Sequence, residues 1–93
     1  MQVELKDGTV QQATTAFKYK YNELIGRRDL TQSNYNSAKS KVENLTKTGG
    51  TISEFFWFEI HKSAMANYQG MLVQLYDELL ELFKQHDVVR VIK

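Results

Sequence analysis

The chain has 93 residues, of which 42% are hydrophobic, 12% aromatic and 25% charged, enough for one domain with a modest core and unlike the sparse, highly charged mix of a disordered chain. Twelve Lys/Arg against eleven Asp/Glu leave a net charge of +1, too balanced for a polybasic partner-seeker. The absence of Cys excludes disulfides, thiol catalysis, zinc ribbons and iron–sulfur clusters, and the absence of Pro means that no helix is forced to break.

At the N-terminus Val3 and Leu5 alternate with Gln2, Glu4 and Lys6, the period of an extended segment. Asp7-Gly8 is a good turn dipeptide, so a hairpin of 2–6 with 9–13 is one arrangement. Pairing with the short β-branched run Val88–Ile92 at the other end, within the chain or across a dimer, is another, since a lone strand cannot satisfy its backbone.

Residues 9–26 read as a helix. Val10, Ala13, Phe17, Tyr21, Leu24 and Ile25 fall within a face about 120° wide, and Gly26 sits where a C-cap belongs. A strand reading of 14–21 competes, because Phe17–Tyr21 alternates and Thr14-Thr15 favour β; the helix accounts for more residues. Gly26-Arg27-Arg28-Asp29 is then a break, followed by a second helix over 31–47 with the narrow stripe Thr31, Tyr35, Ala38, Val42 and Leu45. Thr48-Gly49-Gly50-Thr51 is the clearest break, since glycine costs a helix about 1 kcal/mol relative to Ala.

The last helix spans 53–86. Phe58, Met65, Leu72 and Leu79 repeat at spacing seven, as do His61, Tyr68, Leu75 and Leu82, three residues displaced. This seam is widened by Ala64, Met71, Tyr76 and Phe83. Thr51 or Ser53 caps its start, and Glu54 suits the positive end of the helix dipole. Such a helix is about 50 Å long, so a long element packs beside it or it extends into a dimer. The fold class is therefore mainly α: one small domain over 1–93, three helices with a long C-terminal one, and short β segments at the termini. An α+β arrangement is the alternative.

Two constellations carry functional expectations. Phe55-Phe56-Trp57-Phe58 sweeps about 300° of a helix, so it cannot all face one core. Phe56 projects to the side of Ser63, Asn67 and Gln74, and Phe56, Trp57 and Tyr76 are the expected contacts with another protein. The second is the basic-aromatic run Phe17–Arg28, in which Lys18, Lys20, Arg27 and Arg28 with Tyr19 and Tyr21 would hold phosphates and stack bases of a nucleic acid. On a helix the two lysines diverge by about 160°, and a nucleic-acid binder is usually strongly basic, whereas the sequence pI is about 8.0.

Ala66 and Gly70 form a small-xxx-small pair on the polar side of the long helix and hint at a second contact surface. His61 on the seam and His86 at the helix end make no metal pair, and Asp77, Glu78 and Glu81 read as a solvated acidic turn. No dinucleotide, P-loop, nucleophile-elbow or EF-hand motif occurs, and no Trp-x-Gly turn of the kind that marks one class of small helical hairpins. Residues 1–50 carry eight basic and five acidic side chains and 51–93 four and six, a mild dipole. The expectation is a non-enzymatic interaction module (adaptor, assembly factor or inhibitor). It is expected to be homodimeric, cofactor-free, metal-free, soluble and cytoplasmic, since no run approaches the ~20 apolar residues of a membrane span. A nucleic-acid-binding regulator is the alternative.

Overall fold

The computed structural model describes residues 1–48 and 50–92. The chain forms two helices rather than three, with strands at both ends in the order β1 (Gln2–Leu5), β2 (Val10–Gln12), α1 (Thr15–Thr48), α2 (Ile52–Gln85) and β3 (Val88–Ile92). The expected break at Gly26–Asp29 does not occur: α1 runs through it for 34 residues. One glycine costs a helix only about 1 kcal/mol, and the two arginines beside it are good helix formers. The buried positions Phe17, Leu24, Thr31 and Ala38 recur every seven residues across the join, so packing carries the helix past Gly26. Gly26 is thus an interior helical residue and not a C-cap.

The helix also begins later than expected. Residues 10–12 are β2, and Val10 is 49% exposed rather than part of a helical face. Thr14 starts α1: its Oγ1 accepts a hydrogen bond from the Phe17 N–H at 3.2 Å, satisfying an amide that has no partner inside the helix. Residues 15–21 are helical, so the strand reading of that run fails.

Tertiary contacts divide the chain into two compact units, Met1–Arg27 with Gln74–Lys93, and Arg28–Val73. The first holds the sheet, of order β2-β1-β3 and antiparallel throughout. Both expected pairings of β1 therefore coexist, with Val3 opposite Gln11 on one side and Val91 on the other. The turn after β1 uses Gly8 at φ 88°, a left-handed conformation that glycine adopts without steric cost. Asp87, at φ 55°, reverses the chain between α2 and β3 and accepts a hydrogen bond from the Lys6 N–H at 3.0 Å. The core of this unit is Val3, Phe17, Leu24, Leu75, Leu82 and Val88. Phe17 is its centre, with ring centroids of Tyr21, Phe83 and His86 at 5.9, 5.6 and 5.4 Å.

The second unit holds the C-terminal part of α1 and the N-terminal part of α2. Its buried positions among the described residues are small, Thr31 and Ala38. The expected stripe of α1 is otherwise half-buried at Tyr35, Val42 and Leu45, as is the α2 seam at Phe58, His61, Met65, Tyr68 and Leu72. The Thr48–Thr51 break falls between the helices, with Gly49 outside the described residues.

Candidate functional site

The start of α2 is fixed by Thr51 as N-cap. Thr51 Oγ1 accepts from the Glu54 N–H at 3.1 Å and donates to Glu54 Oε1 at 2.9 Å, and the Glu54 carboxylate lies at the positive end of the helix dipole. Helical geometry then spreads the next four aromatic residues around the axis. Phe58 turns inward and is half-buried, with the Lys62 ammonium 5.9 Å from its ring centroid. Phe55, Phe56 and Trp57 stay 65%, 58% and 50% exposed. Among the described residues no loop covers Phe56. Its ring meets the Trp57 ring edge-on at 5.5 Å, and Trp57 in turn stacks on the His61 imidazole at 5.9 Å.

Two open depressions flank these rings. One, of about 280 Å³, lies between the helix ends and is lined by Leu45, Thr46, Glu54, Phe55, Phe58 and Glu59. The other, of about 400 Å³, runs along α2 beside Phe56, Glu59, Ile60, Ser63, Ala64 and Asn67. Both are mostly apolar at their floors, and neither gathers the convergent acid, base and nucleophile that a reaction centre requires. Among the described residues no three His, Cys, Asp or Glu side chains are placed to hold a metal ion.

The structure brings Phe56 and Trp57 together and leaves Tyr76 elsewhere. Tyr76 belongs to the sheet-bearing unit, where it is 56% exposed one helical turn before Leu80, itself 68% exposed. Sequence reasoning missed Ile52, Ile60 and Leu80, which are 88%, 43% and 68% exposed. The signal was available for Ile52 and Ile60: they stand four residues either side of Phe56, and that spacing places all three on one helical flank.

Of the basic run Lys18, Lys20, Arg27, Arg28, the structure brings Lys20 and Arg27 together on the Glu23 carboxylate. Lys20 pairs with Glu23 at 3.7 Å, Arg27 with Glu23 at 3.9 Å and Glu78 at 3.8 Å, and Arg28 with Asp29 at 3.0 Å. Lys18 lies on the exposed surface of α1. Tyr21 is tucked against Phe17 while Tyr19 is 75% exposed, so the interleaved aromatics do not form one stacking platform. The expected solvated acidic turn is exposed, with Glu78 engaged by Arg27. The Thr9 backbone N–H, 2.9 Å from Asp7 Oδ1, holds the Asp7 carboxyl below its ordinary pKa. It serves the β1–β2 turn.

No described helix is long and apolar enough to cross a membrane. Comparison with protein-family models, curated proteins and solved structures gives no match.

Proposed function

We propose that the protein is a non-enzymatic protein–protein interaction module, an adaptor, assembly factor or inhibitor, that works through the exposed aromatic face at the start of α2. One observation carries this reading. Phe56, Trp57 and Ile60 form a contiguous surface on a helix, each between 43% and 58% exposed, and large rigid rings left half in water are typical anchors of protein contacts. Tyr76 with Leu80 is a smaller second contact on the other unit. The ion pairing of Lys20, Arg27 and Arg28 speaks against a nucleic-acid surface, because phosphates would have to displace carboxylates already in place.

The test is affinity capture from extracts of the native host with the wild-type chain and with Phe56→Ser. A protein retained by the first and lost from the second supports the reading, and identical capture profiles contradict it. A parallel titration with single- and double-stranded DNA at increasing salt is expected to give no specific binding. Tight binding that falls steeply with salt would transfer the function to the basic residues.

A further inference from the structure

Resting on that reading, we infer that the occupant of the α2 face is a second copy of this chain, lying antiparallel across it with the two-fold axis at Ser63–Ala64. Phe56, Ile60, Ser63, Asn67 and Gly70 recur at alternating steps of four and three residues, the spacing of a helix–helix seam. Trp57, Ala64 and Met71 flank this line at intervals of seven. All of them belong to one compact unit, and the line is separate from the Phe58–Leu72 seam that turns inward in that unit.

The order of sizes along the line favours self-pairing in one direction. Its first turns carry Phe, Trp and Ile; its last turns carry Asn, Gly and Met. Laid antiparallel, Trp57 of each copy stands over Gly70 of the other and Phe56 over the flexible Met71, so that rings meet no rings at either end. The helices cross where Ser63 and Ala64 allow close approach. A parallel arrangement would set rings against rings and leave the other end unfilled. The groove of about 400 Å³ supplies the receiving surface: Phe56, Glu59, Ile60 and Ser63, then Ile60, Ser63, Ala64 and Asn67, are two successive four-residue holes at i, i+3, i+4 and i+7.

Gly70 supports the same geometry. Among the described residues nothing lies within 4 Å of where a Cβ would stand on it, which leaves room there for a second backbone. The line carries no charged residue, with Glu59 at its rim, so self-pairing brings no like charges together in its centre. The exposed apolar area makes up most, not all, of a standard interface. Ile52, Phe56, Trp57, Ile60 and Met71 are 88%, 58%, 50%, 43% and 48% exposed. Together they offer roughly 500–600 Å² of apolar surface, against about 800 Å² on each side of a standard interface, and Glu59, Ser63 and Asn67 extend the patch.

The cysteine-free sequence makes the test direct. Ser63→Cys should form a covalent dimer under mild oxidation, and Ser40→Cys, exposed on α1, should not. Wild-type chain at micromolar concentration should sediment near twice its 10.8 kDa. Phe56→Ser and Ile60→Ser should weaken the dimer at least tenfold while their far-ultraviolet circular dichroism matches the wild type. Trp57 is the sole tryptophan, so its fluorescence should shift to the blue as the chain associates.

A monomer at every concentration with solvent-exposed Trp57 emission would overturn the second copy and leave the interaction reading standing. A monomer with buried Trp57 emission would remove both, because the face itself would be covered. A dimer that Ser63→Cys does not link, and that Phe56→Ser does not weaken, would overturn the proposal by placing self-association elsewhere.

Discussion

In the unit that carries the sheet, Phe17 and Leu24 are 1% and 0% exposed; in the other, Phe56 and Trp57 are 58% and 50% exposed. Residues of the same kind are treated oppositely within one chain. The sheet-bearing unit has a third layer to lay over its helices: Val3 and Val88 come from the strands and close the core around Phe17. The other unit has only the two helices, and two helices cannot enclose the sides of α2 that face away from their contact. The lesson is a division of labour. Burial is deepest where strands cover helices, and the aromatic start of α2 stays exposed where they do not.

The largest effects should break that contrast. Phe17→Ala or Leu24→Ala should cost about 3–5 kcal/mol in urea unfolding, a large fraction of the stability of a domain this small. Phe56→Ala, measured on dilute protein, should fall within about 0.5 kcal/mol of wild type. Next come the helix starts. Thr51→Ala removes the cap of α2 and should cost about 1 kcal/mol, with hydrogen exchange rising first in the initial turn around Phe55. Gly26→Ala should act in the opposite direction, raising thermal stability by up to about 1 kcal/mol, because nothing lies within 4 Å of the added Cβ.

The smallest effect concerns Asp7. Its folded pKa lies below the ordinary value because the Thr9 N–H stabilises the carboxylate. The turn's contribution should therefore be fully present above the unfolded pKa and lost as pH falls through the lower folded value. Asp7→Asn should flatten that part of an acid-unfolding curve by slightly lowering stability at neutral pH, where the wild-type carboxylate is ionised.

The periodic elements were legible in the sequence. The spacing-seven positions from Phe58 to Leu82 are buried or half-buried, whereas Met71 and Tyr76, expected to widen that seam, are 48% and 56% exposed; α2 spans Ile52–Gln85 where 53–86 was expected. Thr31, Tyr35, Ala38, Val42 and Leu45 are likewise the inner stripe of α1. The termini pair as their alternation required. What misled was local punctuation. Gly26 and the Arg-Arg-Asp after it resemble a boundary, but their cost to a helix is small beside the burial of Leu24 and Thr31 on either side. Val10 matched a helical face only because phase alone cannot show where a helix starts; the Thr14 cap decides it. At the candidate surface, Phe56 and Trp57 were legible from crowding, since four aromatic residues in a row exceed any one face. Ile52 and Ile60 were not singled out, because exposure depends on what fails to pack, and no periodicity in α2 reports the reach of α1.

Residue-resolved hydrogen exchange along α2, on the wild-type chain over a dilution series, tests the division of labour most directly. In dilute solution the amides around Leu75–Leu82 should be protected to the level of global unfolding, and those around Phe56–Ile60 should exchange markedly faster. Raising the concentration should then add protection between Phe56 and Met71 and little near Leu82. Equal protection of the two stretches in dilute solution would contradict the account.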